Sequence, residues 1–152
     1  MNESNTDYAP VVKQVTVPWP IADAFRRFTH EIGSWWPRAT HSVFKDRAKT
    51  CTLEVKRGGR LYETSDSGEK SVWGTVLAVE EPKSVRFTWH PGREPDTAQE
   101  VEVRFESDGT GTRVTLTHTG WDKLGDRAGA VRADYDKGWE SVLAYFTMER
   151  AS

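Results

Sequence analysis

This chain cannot form an internal disulfide, because it has a single cysteine, Cys51. A lone thiol makes no demand for an oxidising compartment, and the cytoplasm is the expected location. Cys51 alternates with Leu53 and Val55 at strand spacing. It therefore reads as a small buried apolar side chain, since a reactive thiolate needs a base beside it. No apolar run approaches the ~20 residues that span a bilayer. Residues 1–10 hold no apolar stretch of the kind a secretory leader carries. Neither sign of charge is in excess: 21 Lys and Arg stand against 23 Asp and Glu, a net charge of −2. That balance argues against nucleic acid as the main partner, because phosphate binding needs a concentrated basic face. The run Lys45, Arg47, Lys49 is interrupted by Asp46 and reads as a solvated loop. Histidine is scarce and scattered (His30, His41, His90, His118), with no pair at metal spacing. There is no Gly-x-x-x-x-Gly-Lys loop, no dinucleotide fingerprint and no Gly-x-Ser-x-Gly elbow. No metal and no cofactor is expected.

What the chain has in abundance is tryptophan. Seven occur in 152 residues: Trp19, Trp35, Trp36, Trp73, Trp89, Trp121 and Trp139. A domain of this size needs few such rings to fill its core, and each indole N–H needs a partner once buried. The excess points to a wall as much as a filling: amphipathic rings around a concave space that takes a small apolar guest.

Along the chain, the polar residues 1–9 predict a disordered tail, and 10–150 a single domain. Val11, Val12, Val15 and Val17 predict a first strand. Pro18 and Pro20 end it and open a helix, whose apolar stripe is Ile21, Ala24, Phe25 and Phe28. A second short helix is expected over about 31–36, stopped by Pro37, then a loop from Arg38 to Lys49. From Cys51 the period changes to two. Six strands are predicted, joined by turns at Gly58-Gly59, Asp66-Ser67-Gly68, Glu81-Pro82-Lys83, the wide loop Pro91–Pro95, and Asp108–Gly111. Gly74 marks a bulge or a close approach within the fourth strand. After a Gly-containing loop over 120–129, Tyr135, Trp139, Val142, Leu143 and Phe146 repeat at helical spacing. They predict a helix over 133–149, ~25 Å long at 1.5 Å per residue.

Seven alternating strands need a cover for their apolar face, and the C-terminal helix is the only element of sufficient length. The expected fold is α+β: a curved seven-stranded antiparallel sheet wrapped around that helix, with two short helices after the first strand. A bent sheet and a straight helix do not mesh completely, so a cavity between them is expected. The first strand is an exposed edge, and a homodimer is one means of protecting it.

The order of motifs carries a resemblance. Ala24-Phe25 in the Pro-initiated helix is followed by Trp35-Trp36-Pro37, Gly58-Gly59-Arg60-Leu61-Tyr62-Glu63 and Trp73-Gly74-Thr75-Val76. Then come Pro82, Phe87, Trp89, Val101–Phe105, Gly111-Thr112-Arg113-Val114-Thr115-Leu116-Thr117-His118 and Gly138-Trp139. The chain resembles the SRPBCC superfamily, whose members are similar to the birch pollen allergen and to START lipid-transfer domains. Within it, the chain is most similar to bacterial relatives of the C-terminal domain of the heat-shock-protein-ninety ATPase activator. The resemblance covers roughly residues 10–150 and implies the helix-grip fold. It implies several functions: ligand carriers, lipid-transfer modules, aromatase/cyclase enzymes and co-chaperones.

The candidate ligand-binding residues are Trp35, Trp36, His41, Trp73, Trp89, His118, Tyr135 and Trp139. His118 shares an inward strand face with Val114 and Leu116, and is a core imidazole, a polar handle for a ligand, or a base. Trp35 and Trp36 follow one another on one predicted helical turn, so one is expected in the core and the other at a pocket mouth or partner surface. His41 flanks them on the loop. Trp73, grouped with Thr75, Leu77 and Val79, and Trp89, grouped with Val85 and Phe87, point inward as core or as lining. Tyr135 and Trp139 form the opposite wall. Of Tyr62 and Glu63, one faces in; a buried Glu63 would need a partner such as His118 or Arg60. Three functions follow, in this order: a non-catalytic carrier or sensor of a small hydrophobic or aromatic molecule, an interaction protein that docks on a chaperone ATPase, and an enzyme of cyclase or dehydratase type using His118 and Glu63.

Overall fold

Val11–Val17 (β1) is β-branched at five of its seven positions, and it forms the edge of a seven-stranded antiparallel sheet. The computed structural model describes residues 8–37, 40–91 and 97–148. The first seven residues of the expected tail, the start of the loop at Arg38, most of the Pro91–Pro95 loop and the expected helix end at Glu149 lie outside the described residues.

The remaining strands are Ala48–Leu53 (β2), Arg60–Ser65 (β3), Lys70–Glu80 (β4), Ser84–Trp89 (β5), Gln99–Asp108 (β6) and Gly111–Thr119 (β7). Their order is β1-β7-β6-β5-β4-β3-β2. Strands 2 to 6 are each paired with the next in sequence, and β1 pairs with β7. A long helix, Ala128–Thr147 (α2), buries Trp139, Val142, Leu143 and Phe146. Each such side chain removed from water contributes about 1.5–3 kcal/mol. This is the helix-grip arrangement expected from the sequence.

Curvature comes from bulges. Leu61 pairs with Gly74 but Tyr62 with Val72, so Trp73 is an extra residue in β4. Val76 pairs with Phe87 but Ala78 with Arg86, so Leu77 is another. Lys49 in β2 is a third, between Ala48 and Thr50. An extra residue bends its strand and increases the local twist. It also breaks the period of two. Trp73 is therefore buried with Val76 instead of sharing a face with Thr75 and Leu77, as plain alternation predicts. Gly74 is required at the bulge, since a Cβ there would overlap the carbonyl oxygen of Thr88 on β5.

The short helix Ile21–Phe28 (α1) starts on Pro20, whose carbonyl accepts from the N–H groups of Asp23 and Ala24. It buries Ala24, Phe25 and Phe28, as its stripe predicts, and also Arg27. The Arg27 guanidinium donates to the carbonyl oxygens of Phe146 (2.8 Å), Tyr145 (3.3 Å) and Met148 (2.8 Å). These belong to the end of α2, where carbonyls lack helical partners and a cation is favoured. The guanidinium also lies 5.0 Å over the Trp19 ring.

Three expectations are corrected. The second helix shrinks to a 3-10 turn, Ile32–Ser34, held by a Ser34 N–H bond to Glu31. Gly33 packs its backbone against the Cys51 carbonyl, where a side chain would not fit. The loop before β2 contains a further 3-10 turn, Lys45–Arg47, and β2 begins at Ala48. The C-terminal helix starts at Ala128, earlier than position 133, and a 3-10 stretch, Trp121–Arg127, leads into it from Gly120. Gly120 has φ +90, which a side chain rarely adopts.

Candidate functional site

The mismatch between sheet and helix opens a cavity of about 370 Å³, open at one side. Its walls are Trp73 on β4, Trp89 at the end of β5, Trp36 after the first 3-10 turn, and Tyr135, Trp139 and Val142 on α2. Its mouth is formed by His41, Ser42, Val43, Lys45, Pro91 and Gly138.

The four cavity indoles form one cluster. Ring centroids lie 5.1 Å apart for Trp36 and Trp73, 5.8 Å for Trp73 and Trp89, and 5.1 Å for Trp89 and Trp139. All of these pairs are tilted or edge-on, the geometry that aligns ring edges with ring faces. Three of the four N–H groups have acceptors within the protein. Trp36 donates to the His41 carbonyl (2.7 Å), Trp73 to Glu63 Oε1 (2.7 Å) and Trp139 to His118 Nδ1 (2.9 Å). The buried N–H of Trp89 has no hydrogen-bond partner among the described residues.

Six of the eight sequence-predicted residues therefore meet at the cavity: Trp36, His41, Trp73, Trp89, Tyr135 and Trp139. Trp35 and His118 do not line it. Both adjacent tryptophans are buried: Trp35 sits in the core, and Trp36 lines the cavity from within and not from an exposed surface. The 3-10 turn ends at Ser34, before both of them, and their rings pack side by side with centroids 5.8 Å apart. Trp35 packs on Phe28 and Phe146 and donates to the Arg27 carbonyl at 2.7 Å.

His118 is fully buried. Its ring stacks on Trp121 with centroids 4.1 Å apart. An indole N–H only donates, so Nδ1 accepts from Trp139 and carries no proton. Nε2 then holds the proton and donates to Gln99 Oε1 at 3.2 Å. The imidazole stands behind the Trp139 wall and braces it.

Glu63 faces inward and is fully buried, and Tyr62 faces outward under the Lys70 ammonium. The partners of Glu63 are neither His118 nor Arg60. Its carboxylate accepts from the N–H groups of Val43 (2.6 Å) and Phe44 (3.0 Å) and from the Trp73 indole (2.7 Å). Three donors neutralise the cost of burying it. One side chain thus ties the mouth segment to the cavity wall. Nothing in the sequence marks Val43 and Phe44 as partners of Glu63, because the contact spans about 20 positions with no periodic signal.

At the mouth, His41 Nδ1 lies 2.8 Å from Thr40 Oγ1, and its ring edge faces Gly138. Burial first, and the Lys45 cation second, hold the His41 imidazole below its ordinary value of 6.5. Among the described residues, no group of three His, Cys, Asp or Glu is placed to hold a metal ion, and no helix is long and apolar enough to cross a membrane.

The sequence profile of a family described as Activator of Hsp90 ATPase homolog 1-like protein matches residues 18–148. The chain belongs to this family. Among solved structures, the self-sacrificing resistance protein CalC from Micromonospora echinospora is 30% identical, with a TM-score of 0.69 over 93% of this chain and 94% of that one. The anthrahydroquino-gamma-pyrone synthase Txn09 is 31% identical, with a TM-score of 0.59 over 87% of this chain and 90% of that one. BH1534 of Bacillus halodurans, at 23% identity and a TM-score of 0.62 over 89% of this chain and 91% of that one, shares the fold. No curated protein matches the sequence.

Proposed function

We propose that this family member binds a small, flat, hydrophobic or aromatic molecule between the sheet and α2, as a carrier or sensor. The observation that carries this reading is the convergence of Trp36, Trp73, Trp89 and Trp139 on one open cavity of about 370 Å³. That volume lies in the range typical of small-molecule sites, ~300–1,000 Å³. The ligand set is Trp36, His41, Trp73, Trp89, Tyr135 and Trp139, with Trp35 and His118 as supports behind it. The 31% identity to a synthase named for a fused aromatic product favours a polycyclic ligand. Catalysis through Glu63 and His118 is disfavoured, because their polar atoms are engaged behind the wall. The buried lone thiol of Cys51 suits a reducing compartment such as the cytoplasm.

The test exploits Gly138. A Cβ there meets only the His41 ring edge, at ordinary contact distance, and a larger side chain built on it would extend into the cavity mouth. Gly138→Leu also replaces a glycine inside a helix, which favours the helix by up to about 1 kcal/mol. The variant is expected to stay folded and to lose quenching of tryptophan fluorescence by naphthalene- or anthracene-type probes. Unchanged binding by the variant, or no binding by the wild type, overturns the reading. A second reading, docking on a chaperone ATPase, is favoured by the family description alone. Stimulated ATP turnover by an Hsp90-type chaperone on addition of this protein would support it.

A further inference from the structure

Lys45 stands at the cavity mouth with its ammonium 3.4 Å from the Thr40 carbonyl oxygen. No carboxylate lies within 4.0 Å of it among the described residues. Asp46, the next residue, makes no ion pair with it, and three other acids of this region have partners elsewhere. Glu63 is saturated by three N–H donors, and Asp66 and Glu69 pair with Arg47. Lys45 is also the one described non-glycine residue with positive φ, +55, a conformation that costs energy for a side chain with a Cβ. The Glu63 clamp on Val43 and Phe44 holds the two residues that precede it. Val43, beside it at the mouth, is an exposed apolar side chain.

Among the described residues, a cation with no acid paired to it therefore rims a pocket whose interior is aromatic. Building on the aromatic-binding reading above, we infer that the ligand is an aromatic acid: a flat ring system between the indoles, with a carboxylate or phenolate oxygen at the Lys45 ammonium. A charge-assisted bond of this kind is stronger than a neutral one, and at a half-open mouth it is only partly screened by water. The positive field of Lys45 already reaches into the mouth, where it disfavours a charge on His41.

The experiment compares two probes of the same shape, 2-naphthoate and 2-naphthamide, by calorimetry at pH 7.5 and low salt. The wild type is expected to bind the acid about fivefold or more tightly than the amide. Raising the salt should shrink that preference and leave amide binding unchanged. Lys45→Met keeps the stem and removes the charge. It should abolish the preference while amide affinity holds. Equal binding of both probes by the wild type, or a preference that survives Lys45→Met, overturns the inference and leaves the aromatic pocket standing. Failure of both probes to bind overturns the pocket and the inference together.

Discussion

The indole N–H of Trp139 donates to Nδ1 of His118 across 2.9 Å of buried interior, joining the helix to the seventh strand. At the surface, Lys13 on β1 also pairs with Asp136 (2.9 Å) and Glu140 (2.7 Å) of the helix, but inside the core helix and sheet meet mainly through apolar side chains. The Trp139–His118 bond fixes the Trp139 ring as a wall of the cavity and fixes the His118 tautomer. His118→Phe keeps a ring of similar size but leaves the Trp139 N–H buried and unpaired. The expected cost is about 1–3 kcal/mol, read from the denaturant midpoint. Two-dimensional nitrogen–proton spectra of the wild type should place the proton on Nε2.

Glu63 has the corresponding role at the mouth. A glutamine there offers one oxygen to three donors and turns an NH₂ group toward another N–H. Glu63→Gln should destabilise by about 1–3 kcal/mol and increase amide exchange at Val43 and Phe44. Probe binding should weaken with it, because the mouth residues 41–45 lose their anchor. Protected amides at both positions in the variant would refute the clamp.

Arg27 closes the end of α2. Arg27→Met retains the apolar stem but leaves the carbonyls of Tyr145, Phe146 and Met148 without this donor. Hydrogen bonds to a charged group are worth about 1.5–3 kcal/mol each in favourable cases, and they are not additive. The expected loss is about 2–3 kcal/mol, with fraying confined to the last turn in hydrogen exchange.

His41 sets a pH dependence. Its imidazole is held below 6.5 in the folded protein by burial and by Lys45. Below that pH the unfolded chain takes up the proton more readily than the folded one. The contribution to stability is therefore complete above pH 6.5 and is lost as pH falls through the lower folded value. An NMR titration of the His41 ring should give a midpoint below 6.5, and Lys45→Met should move it part of the way back. A wild-type midpoint at or above 6.5 would contradict the packing.

Gly74 tests the bulge. Alanine there drives a methyl group into the Thr88 carbonyl oxygen, so β4 and β5 must separate or shift. Gly74→Ala should cost at least about 2 kcal/mol, in the upper part of the range for overpacked sites.

The amino-acid sequence by itself determined the element order, the alternation that makes one face of each strand apolar, and the aromatic face of the last helix. These are local properties: a period of two, a period of 3.6, and the turn residues between them. It also supplied six of the residues that meet at the cavity, because large amphipathic rings on inward faces have few other places to go. Tertiary structure alone decided the rest. The bulges at Trp73 and Leu77 reset which residues of β4 face inward, since an extra residue inverts the alternation beyond it. Glu63 found its partners in a backbone segment about 20 positions away, and Arg27 found its own at the end of a helix 119 positions on. Such bonds depend on where packed elements bring their ends together, and no local pattern in a chain records that.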